Sequence, residues 1–384
     1  MLPKSRFVGI GLTLLILVIL AACAPAPTPV PTAAPPTAVP PTKAPVPTVA
    51  PTTVPAATKA PEATKAPVAT TAPTTAPTAA PVAVPTLSGT RRLSVGTGAV
   101  GGVFYVYGGG IASVLSKNIN GTQLTAESTA GSVDNLKLLN AKKGDLALAF
   151  SDTSYEALKG EGNFKALGST PVKALAVLYF AFNHLVVFDD SNIKTVADLK
   201  GKKVSTSSPG TGSEIVALRT LEAAGLDPDK DITRERLGAQ ESANAMKDRK
   251  IDAFFFHGSN IAAIIDLAAT PGVKIRLLPQ GDLLPKIIAK YGPVYSVGII
   301  PKGVYKGVDV DTQAVASTTL LVVRDDFPED VAYWITRTLF EKKSDLVVVH
   351  KSAQELTSTG SSIAFHPGAI KYFKEKNMKY DDIK

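Results

Sequence analysis

The sequence predicts an α/β protein built as two lobes. Strand-like and helix-like stretches alternate from about residue 87 to the C-terminus, the pattern of helices layered on mainly parallel sheets. That part holds roughly 300 of the 384 residues, enough to bury a substantial core in two lobes. The remainder differs sharply in composition: 18 of the 29 prolines lie between Pro25 and Pro85, and no aromatic residue lies between Cys23 and Leu87.

The N-terminus reads as an address. Lys4 and Arg6 precede an apolar run from Phe7 to Ala22, the layout of an export signal. The run Leu12–Leu20 is short for a spanning helix, which needs about 20 apolar residues. The run ends in Leu20-Ala21-Ala22-Cys23, and small residues before a cysteine resemble the lipobox of bacterial lipoproteins. In that family the signal is cleaved ahead of the cysteine, which then carries the lipid; the alternative here is an uncleaved anchor. Cys23 is the only cysteine, so a disulfide framework and a Cys-based zinc site are excluded. Residues 24–86 are Ala, Pro, Thr and Val with little to bury. They read as an extended stalk between membrane and body.

Removing these segments leaves +4 of the net charge of +8, with acids and bases interspersed from Leu87 on. No basic block or aromatic-interleaved stripe remains, which argues against nucleic acid as a partner.

The body follows in order. Arg92–Gly96 alternates as a strand, and Phe104–Lys117 has helical spacing with Ile111, Val114 and Leu115 on one face. Leu124–Glu127 is a strand, Val133–Ala141 a helix, and Asp145–Phe150 a buried strand. Ala174–Phe188 is a long apolar stretch broken by Asn183-His184. Ala197–Val204 holds a helix end, a turn and a new strand. Helices over Glu214–Ala224, Ser242–Asp248 and Ile261–Ala269 alternate with strands over Ile251–Phe256 and Lys274–Leu278, the first helix stopped by Gly225. Thr318–Val323 is a further strand, and Asp330–Glu341 and Ser344–Val349 are late helices.

Three polar, glycine-rich corners repeat one design. They are Gly96-Thr97-Gly98-Ala99-Val100-Gly101-Gly102, Ser128-Thr129-Ala130-Gly131-Ser132 and Ser207-Ser208-Pro209-Gly210-Thr211-Gly212-Ser213, each between a strand and a helix. A fourth, Ser151-Asp152-Thr153-Ser154, lacks glycine. Free backbone N–H groups at a helix start, the macrodipole and nearby hydroxyls favour an anion there. Taken singly, such corners are ordinary caps and turns. Several facing one cleft would hold a carboxylate without a dedicated arginine. The first corner contains a lone GxGxxG, weak by itself; no clear acidic residue for a ribose hydroxyl follows about twenty residues later, Glu127 about thirty on being the nearest.

In this order, Gly-Thr-Gly…Gly-Gly-Val-Phe-Tyr, Glu127–Leu136, Phe150-Ser151-Asp152, Leu199–Val204, Pro209–Ser213 and Lys250–Phe256 resemble the TAXI family, the extracytoplasmic solute receptors of TRAP transporters. The resemblance implies a two-lobed, type II periplasmic-binding-protein fold with crossover hinge strands. It implies lobe 1 over 87–182 and 296–384 and lobe 2 over 183–295. It also implies a small carboxylate ligand and a TRAP-type permease as partner; neither a cofactor nor a metal is expected from the residues. Carried over residue by residue, the ligand contacts are Thr97, Gly98 and Tyr105; Ser128, Thr129 and Ser132; Ser151 and Asp152; and Gly210, Thr211, Gly212 and Ser213. Phe104 and Phe150 stand where the family usually has Tyr and Gln, which points toward a less polar ligand, with an ABC importer or a sensor as the alternative setting.

His257, after Phe254-Phe255-Phe256, is a strand-end residue that could face the cleft. His184, His350 and His366 form no metal-binding spacing, and there is no Gly-x-Ser-x-Gly elbow, so an enzyme is not expected.

Overall fold

The computed structural model describes residues 86–383 apart from 101. The signal over 1–23, Cys23 and the Pro-rich stretch that follows lie outside the described residues. The described residues belong to one compact unit.

Ten strands form one mixed sheet: β1 (Thr86–Gly96), β2 (Asn120–Glu127), β3 (Leu146–Phe150), β4 (Val172–Phe188), β5 (Lys203–Ser205), β6 (Thr233–Glu235), β7 (Ala253–Gly258), β8 (Ile275–Leu277), β9 (Ser296–Ile300) and β10 (Thr312–Arg324). The order is β2-β1-β3-β10-β4-β7-β5-β6, with β8 on β4 and β9 on β10. The helices are α1 (Val103–Asn118), α2 (Ser132–Asn140), α3 (Ser151–Lys159), α4 (Gly212–Ala223), α5 (Ala239–Lys247), α6 (Ala262–Ala269), α7 (Leu284–Tyr291), α8 (Glu329–Glu341), α9 (Lys343–Val349) and α10 (Pro367–Glu375).

Two long strands make the lobes. β4 pairs with β10 over 172–182 and then with β7 over 182–187. β10 pairs with β9 over 312–316 and then with β3 over 319–323. Each strand therefore starts in one lobe and ends in the other. Strands β1, β2 and β3 are mutually parallel in the first lobe, as are β5, β6 and β7 in the second, while the crossing strands run antiparallel to their neighbours. This is the two-lobed, type II binding-protein arrangement.

The core follows the alternation of strand side chains. Leu185 and Val187 of β4 enter one second-lobe core with Val204 and Phe255; Val186 and Phe188 enter the other with Phe254 and Ile264. Burial on both faces explains the unbroken apolar run. The polar break at Asn183-His184 does not interrupt β4, because both side chains find partners inside. Asn183 Nδ2 donates to Gln280 Oε1 (2.8 Å). His184 Nδ1 donates to the Phe182 carbonyl (2.8 Å) while its Nε2 accepts from Tyr305 Oη (2.9 Å).

Three expectations change. The fourth corner is not a loop: Ser151–Ser154 is the first turn of α3, which follows β3 directly. The pattern did not give β6, α7, β9 or α10; the two strands have only three and five residues. The chain also stays with the second lobe beyond 296. Ile300, Tyr305, Val308 and Ala314 share a core with Phe254, and the return runs through β10.

Candidate functional site

A cavity of about 400 Å³ lies between the lobes. The first lobe lines it with Gly98, Val100, Val103, Phe104, Gly131 and Tyr179; the second with Ser207, Ser208, Thr211, Ser213, the turn 238–241, Phe256 and His257. Five helices begin there: Gly102 precedes α1, Gly131 precedes α2, Thr211 caps α4, Gly238 precedes α5, and Ala263 is in the first turn of α6. The starts of α1, α2 and α6 carry no side-chain cap. Their first N–H groups give the wall a positive potential without a charged side chain. Among the described residues no Lys or Arg lines it. Glu241, the single acid, is exposed and accepts from the Gly238 N–H (2.9 Å).

The three glycine corners do meet at this cavity, but their side chains divide into wall and scaffold. Gly98, Thr211, Ser213 and His257 are in the wall. Thr211 Oγ1 accepts from the Glu214 N–H (3.0 Å) and donates to the Ser208 carbonyl (2.7 Å). Gly210 sits at φ +78°, where a side chain is strained, and lies against Asp134. Ser207, a residue with a Cβ, also has positive φ (76°), so this corner stores backbone strain at the wall.

The other expected residues hold the corners together. Thr97 is fully buried and donates from both N and Oγ1 to the Glu127 carbonyl (2.9 and 2.7 Å). Ser128 Oγ donates to the Gly98 carbonyl (3.1 Å), and Thr129 Oγ1 to Asn135 Oδ1 (2.7 Å). Ser132 Oγ accepts from the Phe150 N–H (3.1 Å), and Ser151 Oγ from the Thr318 N–H (3.2 Å). None of these five lines the cavity. Tyr105 does not line it either and is 39% exposed. Consecutive helical residues point about 100° apart, so placing Phe104 in the wall turns Tyr105 outward. Asp152 does not line the cavity and accepts from Tyr295 Oη (2.5 Å). Gly212 lies between the lobes beneath Phe150.

Several wall and scaffold residues were not anticipated. Asn135 Nδ2 donates to the carbonyls of Thr97 (2.7 Å) and Leu148 (2.8 Å), joining the ends of β1 and β3. It packs so closely on Gly96 that a Cβ there would lie 2.6 Å from Asn135 Oδ1. The turn 238–241 had a readable signal, a Gly followed three residues later by Glu ahead of a helix. Tyr179 had none, since it sits within the apolar run of β4.

His257 is 1% exposed, its Nε2 is 2.8 Å from Ser317 Oγ, and the ring meets Phe150 edge-on at 4.6 Å. Burial, with neighbouring His184, pushes its pKa down to about 3, so the ring is neutral. Phe150 in turn touches Phe104 (4.9 Å), so an aromatic cluster spans both lobes behind the wall residues Phe104 and His257.

A two-lobed α/β body with crossing strands and a cavity between the lobes is the type II periplasmic-binding-protein fold. Residues 95–376 match the NMT1-like family, to which the chain belongs. Its fold is similar to that of several solved structures. One is the alkanesulfonate-binding protein SsuA from Xanthomonas axonopodis pv. citri bound to MOPS (16% identity, 76% of this chain, 82% of that one, TM-score 0.43). Another is a binding protein component of an ABC phosphonate transporter from Pseudomonas aeruginosa (14%, 70%, 81%, 0.46). A third is an ancestral arginine-binding protein bound to arginine (16%, 68%, 96%, 0.42).

Proposed function

We propose that this protein is an extracytoplasmic solute-binding protein that takes up a small organic acid between its lobes and delivers it to a membrane permease. The observation that carries this is the convergence of five helix starts on one interlobe cavity. Backbone N–H groups there suit a carboxylate or similar oxyanion, while Val103, Phe104 and Phe256 suit an apolar body. Binding is favoured over turnover because His257 meets Ser317 with no carboxylate to orient its other nitrogen. Cys23 is the proposed lipid attachment site. Loss of detergent-phase partitioning in Cys23→Ser would support it, and unchanged partitioning would refute it.

A thermal-shift panel of acids and neutral analogues on the purified protein tests the ligand class. Ligand at 100 times its Kd adds about 2.7 kcal/mol, a shift of several degrees. Shifts confined to acids with branched or aromatic bodies support the reading. Shifts confined to neutral compounds favour the second reading, a less polar solute, for which the cation-free wall speaks. The ordered TAXI-like motifs support a TRAP-type permease, and an ABC importer is the alternative. Uptake that survives ATP depletion but collapses with the ion gradient would select the former.

A further inference from the structure

One face of α4 is turned to the first lobe. At its start, a Cβ on Gly212 would come within 2.5 Å of Phe150 Cδ2 and 2.9 Å of Thr153 Oγ1. Ile215, three residues on, is buried within the first-lobe core. Arg219, four further, is 8% exposed. Residues at this spacing form one stripe along a helix. Arg219 Nη2 donates to Glu156 Oε1 (2.9 Å), Nη1 donates to Tyr295 Oη (2.8 Å), and Nη1 lies 3.7 Å from Asp152 Oδ2. Tyr295 Oη donates to Asp152 Oδ2 (2.5 Å), and the guanidinium stacks over Tyr291 at 4.3 Å.

The two carboxylates come from α3 in the first lobe; the cation and Tyr295 come from the second-lobe core. Asp152 and Glu156 are four residues apart on one helix, where like charges repel. Both are buried. A guanidinium from the other lobe pairs with both and offsets one of the two negative charges, while burial raises the pKa of Glu156. None of these residues lines the cavity.

We infer that Asp152, Glu156, Arg219 and Tyr295 form an interlobe latch that holds the two lobes together while the cavity is empty. Asp152, expected from sequence to touch ligand, holds the lobes instead. The latch acts on the population of the closed arrangement, and ligand affinity scales with that population. That last consequence rests on the proposed binding function; the latch itself does not.

The test measures interlobe distance without ligand. Spin labels at Lys137 and Asp248, both exposed, would be read by pulsed electron resonance in a Cys23→Ser background. The ligand-free protein is expected to give one narrow distance distribution. Tyr295→Phe and Glu156→Gln, which remove a hydroxyl and a charge without adding bulk, are expected to broaden it toward longer distances while thermal unfolding stays cooperative. A broad distribution in the unsubstituted protein overturns the proposal even if the variants fail to fold. So do folded variants with an unchanged narrow distribution. Because no solute is added, either result is independent of whether the ligand is an acid.

Discussion

The cavity wall and the α3–α4 seam lie between the same two lobes, yet they are made of opposite materials. Among the described residues the wall holds no Lys or Arg and offers small residues, hydroxyls and helix starts. The seam packs a guanidinium, two carboxylates and a tyrosine hydroxyl out of water. A full charge buried in the wall would need a partner there, or cost several kcal/mol of desolvation. Backbone dipoles are fixed by the fold and need no such partner. The seam therefore uses charge, and the wall uses dipoles.

Four measurements would break or sharpen that contrast. Arg219→Met leaves Asp152 and Glu156 buried without a cation and should cost about 3–5 kcal/mol in urea unfolding. Ser208→Ala in the wall should stay within about 0.5 kcal/mol. Equal effects would erase the distinction.

Acid should act next. Burial pushes the His184 pKa down to about 4 and that of His257 down to about 3, while the unfolded chain protonates both near 6.5. Below 6.5 the unfolded state binds more protons, so stability falls as pH falls. The loss is about 2 kcal/mol for each ring by about pH 5, and it levels off only below the folded values. Unfolding midpoints between pH 7 and 5 check this; His257→Gln should remove that ring's share of the slope and leave the contributions of His184, His350 and His366.

Gly212→Val forces a side chain into the Phe150–Thr153 contact and should destabilise by about 1–3 kcal/mol. A neutral result would show that the lobes can separate at that point without loss. The smallest effect is expected from Thr211→Ala, which removes the cap on α4 and should cost about 1 kcal/mol. A larger loss would mean that the strained corner around Ser207 depends on that hydroxyl.

The alternation of elements and the three corners were legible because both are local. Apolar periodicity specified most strands and helices, and Gly with Ser or Thr before a helix marked where chains turn toward the cleft. Short β6 and β9 carry too few residues for a period to register. The start of α3 was read as a corner because Ser151–Ser154 is polar, yet all four residues are buried.

Sequence by itself determined the two-lobed α/β build, the corners that line the cleft and the neutral, aromatic character of Phe104 and Phe150. Tertiary structure alone decided which hydroxyls face the cavity and which tie strand ends. It also decided that Asp152 turns to Arg219, 67 positions along the chain. The reason is physical. A residue's type and neighbours set its backbone, but a carboxylate's role depends on which distant charge folding brings within a few ångströms.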